Sequence, residues 1–587
     1  MTIRGNARAE APGSGAGERQ QTRKANRLQL RKTASQAQPF QGRSSYMKRT
    51  SALLASLAAV ALLTAACGNN NNKGSDSSPS ASPAASGGSP AASAPAAEKI
   101  KLNWYVIASA DAQLPKGDAD FVKTYIDEKF NVDLTIDYMP LGTDFQNKFN
   151  SLVASGDIPD VFFAEGIPSN QYIADGVARE MTGLVTPENM PNYFKYWITE
   201  EELPKYQVQG KFARAPIPYE KNYYRSYYIR QDWLDKLGLS VPTSYDEMVE
   251  VMKAFTFNDP DGNNKNDTYG FSAYGNGTNM SLEFPTYVKN GLFGDFMVEG
   301  DQFVDTRTDL RMQQVLTDTR ALLDLGVVDP DWLLNKNGQQ LEKAEQGKVG
   351  IVLGFGKNLA FDNNAEGLQA KTKEITKVET ANWTAFDPFA TTGTYLTPVP
   401  GNPFLFSSKS TDEEIGRSMQ ILDWLAGEEG FLMTHYGREG TEFTRSGSTI
   451  TLNQDAFKTN VTDQGNFLSV YQWFTPISGP EAAFGLEVYD PNVTDRDKKI
   501  LETMNSYKLV DSVGTSLVVK EGMDLAALRK RMNELQVKVL YSDKNADKWP
   551  QYREELMTKY QGKEIFEYYA QQVTEARGAT VTFNSGN

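Results

Sequence analysis

The chain has very few of the side chains on which most metal centres and nucleophilic active sites depend. Its 587 residues include one cysteine, Cys67, and one histidine, His435. A lone cysteine leaves no partner for an internal disulfide and no thiolate cluster for a metal. A single histidine argues against histidine-based metal sites and against a nucleophile–histidine pair. No G-x-x-x-x-G-K-[ST] segment occurs, which excludes a phosphate-binding loop of that type.

Long hydrophobic runs are also absent, apart from one short stretch near the start. Ala52–Ala66 consists almost wholly of Ala, Leu and Val, with Met47, Lys48 and Arg49 before it and Cys67 after it. A helix needs about 20 apolar residues to span a bilayer, and this run has about 15. A basic start, a short apolar stretch and small residues before a break are typical of a secretory signal.

The last four residues of this stretch, Thr64-Ala65-Ala66-Cys67, resemble a bacterial lipobox. In such signals the cysteine is diacylated and becomes the first residue of the mature protein, although Leu is usual where Thr64 stands. The alternative is an ordinary signal peptide with a cysteine by chance. The resemblance predicts a lipid such as palmitate on Cys67 and a place on the extracytoplasmic face of a bacterial cell membrane, of the Gram-positive type.

The composition divides the chain into four parts. Residues 1–46 are rich in Arg, Gln, Ser and Gly, and we interpret them as a start assigned too early or as a disordered extension. Residues 47–66 form the signal peptide. Residues 67–98 combine the lipidated cysteine with a Ser/Pro/Ala/Gly tract that is too polar to fold and acts as a disordered tether. Residues 99–587 form the folded body.

The charge of the chain limits its partners. Residues 1–66 contain 11 Lys or Arg and 2 Asp or Glu, so residues 67–587 carry a net charge of −23 within a chain total of −14. An acidic surface of this size argues against nucleic acid and against an anionic bilayer as binding partners.

The body is large enough for two lobes, and its pattern alternates strands with helices. The alternation of apolar residues predicts strands at 100–107, 134–138 and 160–163. Helical spacing predicts helices at 121–130, 144–155, 243–255, 418–425 and 523–540. Such alternation indicates an α/β fold with mostly parallel sheets.

Several segments of the body, in order, resemble the extracellular solute-binding lipoproteins of carbohydrate ABC transporters, in the large oligosaccharide-binding subgroup that includes alginate-binding proteins. The matching segments are Phe149–Asp160, Gly176–Leu184, Tyr228–Leu239 with Val241–Glu247, Gly347–Gly350, and Glu428–Gly430 with Tyr436–Gly440.

The resemblance implies a two-lobed fold of the type II periplasmic-binding-protein class. Each lobe would be a mixed, mostly parallel sheet flanked by helices, with a ligand cleft and a hinge between the lobes. Lobe 1 would comprise residues 99–215 and 390–450, and lobe 2 residues 220–385 and 455–587. Such a receptor is a monomer that captures a carbohydrate, here an oligosaccharide, and delivers it to the permease subunits of an ABC importer.

A polar loop after the helix predicted at 243–255 has the spacing of a calcium site. Asp259, Asp261, Asn263 and Asp267 occupy EF-hand positions 1, 3, 5 and 9, and Lys265 occupies position 7, where the backbone carbonyl is the ligand. Position 12 is glycine, so the EF-hand is incomplete. The loop resembles the calcium loop of alginate-type binding proteins, which implies a structural Ca²⁺, whereas a simple polar turn is the alternative.

Aromatic and polar residues near predicted strand ends and loops are candidates for the ligand site, because sugars stack on rings and bond to polar groups. The candidates are Trp104, Tyr105, Glu165, Arg230, Trp383, Phe386 and Trp473. Core packing is the alternative for each ring, and a structural ion pair is the alternative for Arg230.

Two other function classes remain open at this level. A glycan-active enzyme would need a pair of carboxylates set for acid and base catalysis, and no motif singles out such a pair. A surface sensor or adhesin would bind sugar without transport, and the sequence hardly separates it from a transport receptor. We therefore expect a binding protein without enzymatic activity.

Overall fold

The computed structural model describes residues 98–108, 112–140, 143–164, 169–218, 225–390, 395–396, 404–475, 480–490, 493–510, 512–514 and 516–585. The predictions for residues 1–97, including the signal peptide, the lipid on Cys67 and the tether, lie outside these ranges. In the part of the chain that is described, no helix has the length and apolar character needed to cross a membrane.

The strands, numbered in chain order, confirm the predicted positions of the first three. Their bounds are β1 Ile100–Ile107, β2 Val132–Met139, β3 Val161–Phe163, β4 Arg225–Arg230, β5 Tyr269–Phe271, β6 Phe296–Glu299, β7 Gln302–Asp305, β8 Val349–Phe355, β9 Trp383–Phe386, β10 Tyr395–Leu396, β11 Phe404–Phe406, β12 Phe443–Ser446, β13 Thr449–Leu452, β14 Glu487–Tyr489, β15 Leu509–Val510 and β16 Thr582–Phe583.

The α-helices are also numbered in chain order, and each predicted helix is present. Their bounds are α1 Phe121–Lys129, α2 Thr143–Ser155, α3 Asn170–Ala174, α4 Pro191–Tyr196, α5 Gln231–Leu237, α6 Tyr245–Phe257, α7 Pro285–Lys289, α8 Met312–Leu325, α9 Gln339–Glu345, α10 Leu368–Thr376, α11 Asp412–Ala426, α12 Glu428–Tyr436, α13 Gln454–Asn460, α14 Leu468–Tyr471, α15 Asp495–Asn505, α16 Leu525–Tyr541, α17 Trp549–Lys559 and α18 Gly562–Arg577.

The main sheet of the first lobe has the strand order β11-β3-β1-β2. Strand β1 pairs in parallel with β2 and β3, and β11 joins β3 in the antiparallel direction. Helices cover both faces of this sheet, so the second half of β1 is a continuous buried run rather than an alternating one. This sheet is mixed and mostly parallel, as predicted.

The main sheet of the second lobe has the order β5-β8-β4-β9 and differs in strand direction. Strand β5 is parallel to β8, but β4 is antiparallel to both β8 and β9. The sheet is therefore mixed, as predicted, but two of its three pairings are antiparallel. The direction of β4 decides which of its ends lies at which edge of the sheet.

Two large hydrophobic cores correspond to the two lobes. The first is built from residues 102–217, 404–426 and 461–474 with Val518, and the second from residues between 227 and 389 and between 513 and 581. The predicted boundary differs from the structure here, because Val461, Phe467 and Phe474 are fully buried in the first core. Residues 461–474 therefore belong to lobe 1 and not to lobe 2.

Two glycines of the family-like segments are required by close packing. A Cβ atom on Gly350 in β8 would lie 2.2 Å from Cδ2 of Phe255 and 3.0 Å from Cε3 of Trp233, which pack on this sheet from α6 and α5. A Cβ atom on Gly430 would lie 2.3 Å from the carbonyl oxygen of Trp424. Both positions need glycine for lack of space and not for backbone conformation.

We expect Gly350→Ala to lower the free energy of unfolding by about 1 to 3 kcal/mol, because the added methyl group overpacks two aromatic rings. Gly416→Ala in α11 is the matched control, since nothing lies within 4 Å of its Cβ position. An alanine inside a helix should raise stability there by about 0.5 to 1 kcal/mol. Urea unfolding of both variants measures the difference, and equal effects would contradict the packing argument.

Candidate functional site

The chain passes between the lobes at the carboxyl ends of the parallel strands. In the second sheet, β8 ends at Phe355, which pairs with Arg225, the first described residue after the crossing from lobe 1. In the first sheet, β3 ends at Phe163, which pairs with Phe404, the first residue of β11 after the return crossing. The carboxyl edges of the two sheets therefore face the lobe junction, where α/β proteins bind their ligands.

One segment of chain belongs to both cores at this junction. Leu517 is buried in the second core and the next residue, Val518, in the first. The side chain of Asn170 in α3 donates a hydrogen bond to the carbonyl oxygen of Leu517. Gln572 in α18 exchanges two hydrogen bonds with the backbone of Val518, at 2.9 and 3.2 Å. Leu517 and Val518 therefore connect the two cores directly.

The edge of the first lobe holds a buried arginine. The backbone of Arg214 pairs with Leu405 of β11, and its side chain is only 4% exposed. The guanidinium donates hydrogen bonds to Ser169 and Asn170, and no carboxylate of the described residues pairs with it. Burial lowers the pKa of Arg214 to about 10. A buried cation at this edge, without a carboxylate partner among the described residues, disposes the edge to bind electron-rich oxygen atoms.

The edge of the second lobe holds a buried acid, Glu283, which is 3% exposed. Gln340 in α9 donates a hydrogen bond of 3.2 Å to its Oε1 atom, and the hydroxyl of Tyr227 donates one of 3.2 Å to its backbone carbonyl. Burial raises the pKa of Glu283 to about 8, and the nearby charge of Arg225 opposes this shift in part. At pH 7 the carboxyl group is therefore largely protonated.

Two of the predicted ring candidates, Trp104 and Tyr105, pack on opposite faces of the first sheet. The indole of Trp104 lies 4.8 Å from the ring of Phe474 and donates a 3.4 Å hydrogen bond to Ser418 in α11. Tyr105 stacks on Phe145 in α2 at 4.5 Å. Trp104 and Tyr105 are buried, which favours core packing over ligand contact.

The candidates Arg230, Trp383 and Phe386 are also buried. Because β4 is antiparallel to β8, its last residue, Arg230, lies at the edge away from the junction, paired with Trp383 at the start of β9. Arg230 forms a two-pronged ion pair with Asp232, at 2.8 and 2.6 Å. These contacts favour the structural alternative for Arg230, and ligand contact by Arg230, Trp383 and Phe386 stays a prediction.

Trp473 is the one predicted ring that is both half-buried and placed at the junction edge. It lies edge-on to Phe163, the last residue of β3, with ring centroids 6.3 Å apart. Its role as a wall of the ligand site stays a prediction that this position favours. Glu165, the other polar candidate, lies outside the described residues.

The predicted calcium loop brings its oxygen atoms together. The carboxylate of Asp259 accepts hydrogen bonds from the backbone of Gly262, Asn263 and Asn264 at 3.0 to 3.1 Å. The side-chain amide of Asn263 donates to Asp261 at 2.7 Å and to Asp267 at 3.2 Å. Partial burial, together with the negative charges of Asp267 and Asp259, raises the pKa of Asp261.

This loop has the donor chemistry of a calcium site without a closed ligand set. Carboxylate and amide oxygens are the ligands that Ca²⁺ prefers, and the backbone amide of Lys265 donates to Asn263 at 2.7 Å, which keeps the turn tight. Across the described ranges, no group of three or more His, Cys, Asp or Glu side chains is arranged to hold a metal ion.

Sequence reasoning missed Arg214, Arg225 and Glu283. Each is a charged residue beside apolar residues, and full burial of such residues, as of Arg214 and Glu283, is rare unless they are paired or functional. That pattern is a weak signal in the sequence, because neither the strand direction nor the course of the crossings can be read from it.

The sequence of the chain is similar to those of known bacterial proteins. Residues 120–440 match the sequence profile of a family described as "Bacterial extracellular solute-binding protein". The polygalacturonan/rhamnogalacturonan-binding protein YtcQ of Bacillus subtilis is 24% identical over 378 residues, which are 62% of this chain and 71% of that protein. Lipoprotein LipO of the same organism is 23% identical over 51% of this chain and 60% of its own length.

Solved structures share the fold. An extracellular solute-binding protein from Bifidobacterium longum subsp. infantis superposes with a TM-score of 0.60 at 16% identity, covering 82% of this chain and 99% of its own. The substrate-binding protein FusA of Streptococcus pneumoniae, solved with kestose, gives 0.57 at 18%, covering 81% and 99%. The alginate-binding protein AlgQ2, solved without calcium, gives 0.56 at 15%, covering 82% and 98%.

Proposed function

Because the chain belongs to the family of bacterial extracellular solute-binding proteins, we propose that it captures an oligosaccharide and delivers it to an ABC importer. The observation that carries the proposal is the pair of sheet edges that meet at the lobe junction, each with a buried polar residue, Arg214 or Glu283. Relatives that bind polygalacturonan and kestose support a saccharide ligand. The family and these relatives are binding proteins, and the proposal contains no catalytic step.

The mechanism follows from two lobes joined at a bendable segment. A ligand that touches both sheet edges makes all of its contacts only when the lobes are closed, so binding shifts the population toward the closed form. Bending near Leu517 and Val518 permits this closure. The closed receptor then presents a surface that differs from that of the open one, which lets the permease subunits distinguish loaded from empty receptor.

We place the receptor as a monomer on the outer face of the membrane, held by a lipid on Cys67 and a tether of about 30 residues. The lipobox-like segment and the lipoprotein LipO among the relatives support this placement. Globomycin treatment of expressing cells tests it, since the drug should leave the signal segment attached if a lipoprotein signal peptidase removes it.

Isothermal titration calorimetry of residues 99–587 with saccharides tests the function. The panel contains kestose, maltotriose, a mannose-containing N-glycan fragment and trigalacturonate, with a tripeptide as the control. We expect heat of binding with at least one saccharide and none with the tripeptide. Binding of the tripeptide alone would refute the carbohydrate assignment, and release of reducing ends would indicate an enzyme instead.

We further propose that the loop from Asp259 to Asp267 binds a structural Ca²⁺ through Asp259, Asp261, Asn263 and Asp267 and the carbonyl of Lys265. The ion would neutralise the mutual repulsion of the three aspartates and rigidify the loop after α6. Among the structural neighbours, a FusA form is described as an EF-hand mutant, which supports a loop of this kind in the fold.

We expect Ca²⁺ at about 100 times its dissociation constant to stabilise the protein by about 2.7 kcal/mol, and EGTA to reverse the effect. Asp261→Asn should abolish this response, because it removes a charged ligand. Asp301→Asn, in the exposed turn between β6 and β7, is the matched control and should keep it. If calcium does not change the melting temperature of the parent protein, the site is ruled out.

A further inference from the structure

Glu283 has a feature that its structural contacts leave unexplained. Its Oε1 atom accepts the 3.2 Å hydrogen bond from Gln340, but its Oε2 atom has no hydrogen-bond partner among the described residues. Only 3% of the surface of Glu283 is exposed to solvent. An unpartnered oxygen at such depth destabilises the fold unless a bound water, an ion or a ligand satisfies it, so the position calls for a binding partner.

The groups around Glu283 lie at the junction edge of the second sheet. Arg225 begins β4 opposite the last residue of β8, Phe355, and its guanidinium carbon lies 4.0 Å from the centre of that ring. Tyr274 follows the end of β5 and is half-buried, as are Arg225 and Phe355. The hydroxyl of Tyr227, which lies two residues after Arg225 on the same face of β4, donates a 3.2 Å hydrogen bond to the backbone of Glu283. The buried Glu283 therefore lies next to a half-exposed rim that contains a cation and aromatic rings.

This arrangement has the chemistry that recognises a sugar ring. Adjacent hydroxyl groups of a pyranose or furanose each donate and accept hydrogen bonds, and a guanidinium beside a carboxyl group offers both kinds of partner. The charge of Arg225 and the backbone N–H of Tyr274 both act on the carboxyl group of Glu283, while its Oε2 atom has no partner at hydrogen-bond geometry among the described residues. A hydroxyl pair of a ligand can bridge the two side chains.

We propose that Glu283 and Arg225 form a sugar-ring subsite, and that the ligand there is a neutral oligosaccharide whose adjacent hydroxyls bridge the two side chains. This proposal rests on the saccharide-binding function proposed above and adds its residues and its ligand class. The net charge of −23 on residues 67–587 supports a neutral ligand, because an acidic protein repels a polyuronate before contact.

The alternative is a purely structural Glu283, which would only orient Gln340 and Tyr227. The two interpretations predict different ligand affinities for the variants Glu283→Ala and Glu283→Gln. A structural role would change the melting temperature of Glu283→Ala and leave the affinity of the folded fraction unchanged. A ligand-contacting role changes the affinity itself, and Glu283→Gln, which keeps a donor and an acceptor, restores most of it.

The test is calorimetry with kestose, maltotriose and trigalacturonate on the parent protein and four variants. For the tightest neutral ligand we expect Glu283→Ala to weaken binding about 30-fold, Arg225→Met about 10-fold and Glu283→Gln less than about 5-fold. Glu345→Ala is the matched control, a half-buried acid near the start of β8, and should leave affinity unchanged. Circular dichroism confirms that each variant is folded.

The outcomes separate this proposal from the one on which it rests. If the parent protein binds none of the three saccharides, the proposed function fails first. If it binds one and both Glu283→Ala and Arg225→Met bind equally well, the function stands and the subsite is overturned. Tighter binding of trigalacturonate than of either neutral trisaccharide overturns the ligand class. If Glu283→Ala does not fold, Arg225→Met alone decides.

Discussion

We expect Arg529→Leu to lower the free energy of unfolding by about 3 to 5 kcal/mol, because it leaves a carboxylate buried without its ion-pair partner. Arg529 in α16 holds Asp305, the last residue of β7, through two parallel hydrogen bonds, of which the Nη1–Oδ2 bond is 2.9 Å. The side chain of Asp305 is fully buried. Leucine would leave this carboxylate in the core with the hydroxyl of Thr308 as its one side-chain donor among the described residues.

The size of this effect comes from desolvation and not from the attraction of the pair. Removing one partner leaves a buried charge that water cannot reach, whereas removing both partners leaves an apolar gap that can repack. The double variant Arg529→Leu with Asp305→Leu should therefore regain much of the stability lost by Arg529→Leu. An additive loss in the double variant would contradict this explanation.

Arg531→Leu, two residues further along the same helix, is the matched control. Arg531 also pairs with acids, Glu555 at 2.8 Å and Glu534 at 3.0 Å, but its side chain is 31% exposed and that of Glu534 is 50% exposed. Exposed ion pairs contribute little because water screens them, so the loss should stay below about 1 kcal/mol. Urea unfolding at pH 7 measures both substitutions on one scale.

The second large effect concerns Glu283 and depends on pH. Its pKa is raised to about 8 in the folded protein from 4.5 in the unfolded chain, with burial as the largest cause. Between these two values the folded protein holds a proton that the unfolded chain releases. Stability from this group is therefore present below pH 4.5 and is lost as the pH rises to 8.

We expect Glu283→Gln to remove this dependence and to exceed the parent in stability by about 2 to 4 kcal/mol at pH 8.5, relative to their difference at pH 5. The other charged groups near this residue, Arg225 foremost, are shared by both proteins and cancel in the comparison. Glu379→Gln, at an exposed position, is the control and should show no such change. If the difference in unfolding free energy between Glu283→Gln and the parent is the same at every pH, the prediction is contradicted.

Local sequence patterns predicted the elements well, because the residues that start and stop helices act on their near neighbours. Ser244, just before the first residue of α6, caps this helix by accepting a hydrogen bond from the backbone N–H of Glu247. Gly238 ends α5 in the left-handed conformation, with φ of 67°. The apolar spacing of Met248, Val251 and Phe255 likewise became the buried face of α6.

The ligand site was harder to predict, because it depends on the direction of one strand. The alternation of strands and helices predicted parallel strands, which would place Arg230, at the end of β4, on the ligand edge. The antiparallel direction of β4 places Arg225, at its start, on that edge instead. No local pattern reports this direction, since it is set by a crossing that enters the sheet from the other lobe.

The aromatic candidates could not be told from core residues for a related reason. Helices cover both faces of β1, so Trp104 and Tyr105 are both buried, although alternation would have exposed one of them. A ring that stacks on a sugar and a ring that packs on a helix have the same residue type and the same spacing. Only a position at the junction edge, such as that of Trp473, distinguishes them.

The interleaving of the two cores has a consequence for the order in which the chain can fold during its synthesis. Strand β3 needs β11 as its neighbour, and about 240 residues separate Phe163 from Phe404. The first core also needs Val518, and the second needs Val573 in α18. An emerging chain therefore cannot complete the first core before residue 518 or the second before residue 573 has been made. A chain that folds late stays unfolded for most of its synthesis. An unfolded chain is the state that an exported protein must keep until it has crossed the membrane.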